Sequence, residues 1–212
     1  MLNPKDLKFA CTRCGNCCTD RNTLVNVTYL DIGRIINSLN LDLKESLEIF
    51  GFYIYDKALN NIILEKMVIS PIETEKGLAF IGLMKNNRGE CYFYDKKNQK
   101  CLIYSLRPLL CKSFPFSFIQ LNNNNFITEG RIQIIYTEKA KKYCPGIGNN
   151  APPIDIDYWL ELANRTLREL KDNYIFNENW NNIVKNREII PSAKNFINRI
   201  ISMVEEQVFN LN

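Results

Sequence analysis

Eight cysteines carry the chemistry that this sequence offers, and four of them fall within eight residues. The run Cys11-Thr12-Arg13-Cys14-Gly15-Asn16-Cys17-Cys18 is denser than packing requires, because an isolated buried cysteine behaves as a small hydrophobe. A CxxC step brings two sulfurs to one side of a tight turn, where a soft cation can bind both. Gly15 suits a backbone that must curl around such a centre. The motif therefore predicts a metal site in preference to disulfides or plain core cysteines.

Four further cysteines lie between residues 91 and 144, so the total is two sets of four. Tetrahedral zinc and the [4Fe-4S] cube each take four cysteines. The count therefore predicts two four-cysteine centres, or one bimetallic cluster with bridging sulfurs. The predicted metal ligands are Cys11, Cys14, Cys17, Cys18, Cys91, Cys101, Cys111 and Cys144.

Cys17 and Cys18 constrain how these ligands divide. Neighbouring side chains diverge while their Cα atoms stay about 3.8 Å apart, so we expect the two to serve different, closely spaced centres. Ferredoxin-type sites use CxxCxxC with a Cys-Pro, which makes Cys144-Pro145 a candidate partner for the first three cysteines. The second centre would then use Cys18, Cys91, Cys101 and Cys111.

Zinc, iron ions or an iron–sulfur cluster all fit thiolate ligation, and the Cys-Pro motif favours iron–sulfur over zinc. Because the chain has no histidine, Ser-His and Cys-His catalytic arrangements are excluded, and an all-protein metal site must use sulfur or oxygen. A centre with four thiolates carries a charge near −2, which a guanidinium of Arg13 or Arg107 could offset. Alternatively, Arg107 caps a helix or pairs with a surface carboxylate.

Composition indicates a globular chain with one substantial core, since 46% of residues are hydrophobic and 24% are charged. We expect neither a secretory signal nor a membrane span, and clustered thiols favour the reducing cytosol, so the predicted location is cytoplasmic. The formal charge of +4 counts neutral thiols. Eight thiolates and two divalent ions would bring it to zero, so the charge is weak support for nucleic-acid binding.

The predicted fold class is α+β, with a small antiparallel sheet and helices closed around cysteine-ligated metal centres. Helices are predicted after Thr28 and after Asp42, each with an acidic residue three positions on. Strands are predicted at Thr23–Val27, at Leu78–Met84 and from Cys91 to Tyr94. Shorter strands are predicted at Ile62–Leu64 and at Met67–Ile69, and a hairpin joins Phe114–Gln120 to Phe126–Tyr136.

The composition changes near Gly146–Pro153, after which no cysteine follows. We therefore expect a metal-binding domain over residues 1–150 and a helical C-terminal segment over 151–212 packed on it. Trp159 and Trp180 are the expected anchors of that segment. Its apolar stripes could also bind an unidentified protein partner.

The motif series resembles the YkgJ-type cysteine-cluster family, a zinc- or iron-chelating group in which one branch contains flagellin lysine N-methylase. The resemblance rests on CxxCxxCC and on Cys101-x-x-Tyr104-x-x-Arg107-Pro108-x-x-Cys111, followed after two residues by Phe-Pro and later by a cysteine near a glycine. It covers roughly Phe9 to Gly146. It implies that all eight cysteines are metal ligands, and it identifies neither the metal nor a methylated substrate.

Three function classes follow. The favoured one is a metal-binding protein with a structural or electron-transfer role, because four cysteines at each centre leave no open position for a substrate. A protein lysine N-methyltransferase is the alternative from the resemblance, although no Gly-rich strand-to-helix loop marks a nucleotide-type cofactor pocket. A nucleic-acid- or ribosome-associated zinc module is the weakest, since basic residues do not cluster. The sequence leaves open whether the protein is an enzyme.

Overall fold

The computed structural model of this protein describes residues 6–55, 68–121 and 131–209. It confirms the α+β class, with small antiparallel sheets and a C-terminal helical segment. The predicted strand at Ile62–Leu64 and the tip of the predicted hairpin lie outside the described residues.

Three helices occupy the N-terminal part: α1 (Asn16–Thr19), α2 (Tyr29–Leu39) and α3 (Leu43–Ile49). The two helix starts predicted from sequence are confirmed, and both are complete capping boxes. Thr28 and Asp31 cap α2 reciprocally, and Asp42 and Glu45 do the same for α3. The apolar positions of α2 face the main core, where Ile32 and Ile35 are fully buried.

A three-stranded antiparallel sheet has the order β1-β3-β2, from β1 (Phe50–Ile54), β3 (Gly77–Leu83) and β2 (Ile72–Thr74). The strand predicted at Leu78–Met84 is therefore confirmed as β3. The predicted Thr23–Val27 strand is wrong except for one bridge, from Asn26 to Gly82, which also pairs with Gly51 of β1. The segment around Asn26 therefore lies on the same edge of β3 as β2 does. It lies beside the C-terminal half of β3, and β2 lies beside the N-terminal half.

Two hairpins complete the β structure: β4 (Tyr94–Asp95) with β5 (Lys100–Cys101), and β6 (Phe116–Leu121) with β7 (Arg131–Tyr136). The strand predicted from Cys91 to Tyr94 is wrong for Tyr92 and Phe93, which form a turn, whereas Tyr94 begins β4. Val68 and Ile69 form a bend, so the strand predicted there is wrong for these residues too. A 3₁₀ turn at Tyr104–Leu106 leads into α4 (Leu109–Ser113), and α5 (Glu138–Tyr143) follows β7.

The C-terminal segment consists of two helices, α6 (Ile156–Lys185) and α7 (Ala193–Phe209). It shares both hydrophobic clusters with the N-terminal part. Phe196, Ile197 and Ile200 of α7 join α2 and the sheet in one cluster, while Trp159 of α6 packs with Phe116 of β6 in the other. No helix within the described residues is both long enough and apolar enough to cross a membrane.

The structure confirms the predicted role of Trp180 as an anchor of the C-terminal segment. Its side chain is fully buried, its ring packs edge-on against Phe196 with centroids 5.1 Å apart, and its Nε1–H donates to the Glu73 carbonyl of β2 at 2.9 Å. The residue therefore ties α6 both to α7 and to the sheet.

We predict that Trp180→Ala lowers the free energy of unfolding by about 3–5 kcal/mol, because it opens a cavity and leaves the Glu73 carbonyl unpaired. Urea denaturation followed by circular dichroism measures this change. Tyr174→Ala, at an exposed position of the same helix, is the control and should change stability by less than about 0.5 kcal/mol. Equal losses in the two variants would contradict the anchoring role.

Candidate metal centre

All eight cysteines line one cavity of about 360 Å³. They reach it from four parts of the chain: the N-terminal motif, the turn and hairpin around residues 91–101, α4, and the end of α5. All eight are free thiols. Within residues 6–55, 68–121 and 131–209, no three cysteine or carboxylate side chains are grouped so that they could hold one ion. The fold thus brings the eight thiols to one cavity, but within the described residues it does not place three of them close enough to hold one ion. Their assignment as metal ligands stays a prediction.

The N-terminal motif is fixed beside Cys144 by hydrogen bonds to two backbone carbonyls near that residue. The Ala10 N–H donates to the Gly146 carbonyl at 3.0 Å, and the Asn16 side-chain amide donates to the Tyr143 carbonyl at 3.0 Å. A Cβ at Gly146 would overlap the Ala10 carbonyl, so only glycine allows this approach. Cys11 and Cys144 are therefore brought together from positions far apart in the sequence.

Gly15 allows the motif to turn into α1. It is the N-cap residue with φ of 79°, in the left-handed region that favours glycine, and a Cβ there would overlap the Tyr94 hydroxyl. The next turn carries Cys17 and Cys18, and the Cys18 carbonyl accepts from the Cys91 N–H at 2.8 Å. The predicted role of Gly15 is thus explained by both its backbone angle and its close contact.

The sulfur atoms of Cys17 and Cys18 lie 3.9 Å apart. The expectation that these two side chains diverge is therefore wrong for the thiols, because the first turn of α1 directs both toward the cavity. The hydrogen bond between the two sulfurs lowers the pKa of Cys17 to about 7 and raises the pKa of Cys18. One proton between two sulfurs stabilises a thiolate on Cys17.

Four further thiols of the cavity have raised pKa values, which favours their neutral form. Burial raises the pKa of Cys111, of Cys91 and of Cys101, and for Cys101 the Arg107 guanidinium offsets part of the shift. Burial also raises the pKa of Cys144, and the charges of Cys14, Cys17 and Cys11 raise it further. A cation would reverse this preference, since metal ligation requires the thiolate form.

The charged residues that line the cavity are all basic: Arg13, Lys100, Arg107 and Lys139. The guanidinium groups of Arg107 and Arg13 lie over the Tyr104 ring, 4.0 and 4.7 Å from its centroid. This placement agrees with the predicted role of the two arginines in offsetting thiolate charge. No carboxylate belongs to the described lining.

α4, which carries Cys111, is held by a carboxylate that local sequence patterns do not reveal. Asp31 is 2% exposed, and its Oδ1 accepts from the Leu109 N–H at 3.0 Å as well as from Arg34 at 2.6 Å. Arg34 also bonds to both carboxylate oxygens of Glu169 on α6, at 3.1 and 2.8 Å. The sequence analysis identified Asp31 as part of a capping box, but the contact with Leu109 spans 78 residues and has no local signal.

The eight thiols on one cavity define the class: a cysteine-cluster protein with a soft-metal donor set. The chain belongs to the CxxCxxCC family, whose description reads "Putative zinc- or iron-chelating domain" and whose match covers residues 10–145. This confirms the resemblance drawn from the motifs. The two C-terminal helices lie outside the matched region.

An uncharacterized protein of Methanocaldococcus jannaschii is 28% identical to this chain over 153 residues. The alignment covers 72% of this chain and 65% of that relative, so the chain spans less than two thirds of the relative's length. No solved structure matches the chain.

We predict that Asp31→Ala destabilises the protein by about 2–3 kcal/mol. Removing one partner of a buried ion pair costs about 3–5 kcal/mol, but Arg34 keeps Glu169 and is partly exposed, which reduces the loss. The variant should also bind less metal, since α4 loses the acceptor at its first residue. Urea denaturation and elemental analysis of the same preparations measure both effects.

Glu161→Gln is the matched control for that variant, because Glu161 lies exposed on α6. It should leave both the unfolding free energy and the metal content unchanged. A normal metal content in the Asp31→Ala protein would show that Asp31 does not position Cys111.

Proposed function

We propose that this protein binds metal at two cysteine centres within the one cavity, as iron–sulfur clusters with an electron-transfer or structural role. The observation that carries the proposal is that all eight cysteines line one cavity of about 360 Å³. The CxxCxxC motif together with Cys144-Pro145, which is typical of ferredoxin-type sites, favours iron–sulfur over zinc. An iron–sulfur cluster would supply one-electron transfer.

The proposed division of ligands follows the chain contacts. Cys144 lies with Cys11, Cys14 and Cys17, whose charges act on it, and it precedes a proline as in ferredoxin-type sites. Cys18 is bonded through its carbonyl to Cys91, and the charge of Cys111 acts on the Cys18 thiol, whose pKa is raised first by Cys17 and by burial. Burial is the main cause of the raised pKa values of Cys91, Cys101 and Cys111, and the charge of Cys17 raises them further, so Cys17 lies near both groups and the CxxCxxC motif assigns it to the first. We therefore propose Cys11, Cys14, Cys17 and Cys144 for one centre, and Cys18, Cys91, Cys101 and Cys111 for the other.

Zinc is the second candidate, and the sulfur spacing of Cys17 and Cys18 favours it. Tetrahedral zinc with Zn–S distances of about 2.3 Å places its sulfur ligands about 3.8 Å apart, close to the observed 3.9 Å. With zinc, both neighbouring thiols could bind one ion or bridge two. The role would then be structural, since zinc has no redox chemistry of its own.

Other residues around the cavity support the binding of either metal. The basic lining compensates the charge of four-thiolate centres, and a reducing compartment such as the cytosol keeps eight thiols available for ligation. The chain's own residues hold and orient the thiols: Asp31 does so for Cys111, and the Ala10–Gly146 contact does so for Cys11 and Cys144.

Single Cys→Ser changes test the ligand assignment. We expect Cys14→Ser and Cys111→Ser, one in each proposed centre, each to remove one centre and to lower the melting temperature, since ligand binding stabilises the fold. Elemental analysis and thermal unfolding of purified protein measure these losses. Ser105→Ala, at an exposed position of the turn between the cysteines, is the control and should retain full metal.

The identity of the metal is tested on anaerobically purified protein. We expect a brown protein with broad visible absorption, with iron and acid-labile sulfide, that bleaches with dithionite or air. A colourless protein with two zinc ions per chain would overturn the iron–sulfur assignment and leave the eight-cysteine assignment standing. A protein without either metal would contradict the proposed function.

A further inference from the structure

Asn26 is a polar residue in the wall of the eight-cysteine cavity. It lies between Val25 and Val27, which are both buried in the main hydrophobic cluster. Its backbone is fixed against β3 by the bridge to Gly82, since Val27 N–H donates to Ile81 and Leu83 N–H donates to Val25. The backbone of Asn26 is therefore fixed to the edge of the sheet, next to the cavity.

The Oδ1 atom of Asn26 is buried and has no hydrogen-bond partner, and among the described residues it is the one buried side-chain oxygen or nitrogen of this kind. Leaving such an atom unpaired costs about 1–3 kcal/mol. A leucine at this position would avoid the cost and would suit the flanking valines. The asparagine therefore indicates that a partner of its side chain is needed beside the cavity.

Three other polar side chains of the cavity wall are already committed. The Asn16 amide donates to the Tyr143 carbonyl, the Thr23 hydroxyl bonds to Asp20, and the Thr137 hydroxyl accepts from the Ala140 N–H. Asn26 differs from these three because its carboxamide is free to bond to what occupies the cavity.

The two ends of a carboxamide have nearly the same size, so a half-turn of the side chain exchanges its acceptor for two N–H donors. The cavity presents eight sulfur atoms, which become hydrogen-bond acceptors when metal binding makes them thiolates. Hydrogen bonds to ligating sulfur orient the ligand and tune the metal. The donor end is thus the one that matches a loaded cavity.

We propose that Asn26 is a positioning residue of the metal site and that its side-chain N–H donates to a cysteine sulfur of a loaded centre. The inference rests on the proposed function, because it requires metal-bound thiolates. Metal loading would then give the Asn26 carboxamide a hydrogen-bond partner.

The test compares metal retention in purified, metal-loaded protein challenged with EDTA. We expect Asn26→Leu to lose metal at about 10–100-fold lower chelator concentration than the unchanged protein, which is the usual effect of removing a hydrogen bond to a metal ligand. The difference in melting temperature between loaded and metal-free protein should shrink in the same variant. Asn22→Leu, at an exposed asparagine of the same loop, is the matched control and should retain metal normally.

A second variant distinguishes the donor from the acceptor. Asn26→Asp keeps the size and the oxygen but removes both N–H donors, so it should also lose metal more readily. Retention by the Asp variant equal to or better than that of the unchanged protein would overturn the proposal, since the oxygen would then be the functional atom. Unchanged retention in Asn26→Leu would overturn it while leaving the eight-cysteine assignment intact, whereas absence of metal from the unchanged protein would overturn both.

Discussion

A buried carboxylate, Asp31, connects α4, which carries Cys111, to α2 and, through Arg34, to the C-terminal helix α6. Its two oxygens cap α2, accept the first N–H of α4 and bind Arg34, which in turn binds Glu169 on α6. Asp31 and Glu169 are nearly inaccessible, so each carboxylate depends on these partners to offset its desolvation. The position of Cys111 is thereby linked to a helix more than forty residues further along the chain.

The scaffold around the cavity is built from contacts that do not involve sulfur. Lys8 and Tyr136 exchange two hydrogen bonds of 2.7 Å, with the backbone N–H of Lys8 donating to the hydroxyl and the hydroxyl donating to the Lys8 carbonyl. The Phe9 N–H donates to the Pro152 carbonyl one residue before the Ala10–Gly146 contact. These bonds hold both ends of the family-matched region together, so the thiols converge through the protein fold itself. Metal binding would then add to an existing arrangement.

Local signals in the sequence predicted much of the fold. The capping boxes of α2 and α3, strand β3 and the two C-terminal helices depend on residues close in sequence, where spacing carries the information. The eight cysteines were predicted as a set because of their density and number. The contact of Asp31 with Leu109 joins distant segments, so spacing could not reveal it. The convergence of the Cys17 and Cys18 sulfurs and the turn after Cys91 are local, but they depend on side-chain and backbone conformations that the spacing of residue types does not specify. Asn26 had one visible signal, a polar residue between two valines of the predicted Thr23–Val27 strand.

The C-terminal helices give a physical reason why a cysteine-free segment matters to the metal site. The family match ends at residue 145, yet Glu169 lies beyond it and completes the bonds of Arg34. Arg34 without Glu169 would keep one carboxylate partner, Asp31, while α2 and the sheet would lose the apolar surface of Trp180 and Phe196. Burial of apolar surface is the main source of stability in a small α+β domain. The helices therefore act on the cysteines indirectly, by fixing α2 and, through Asp31, the start of α4.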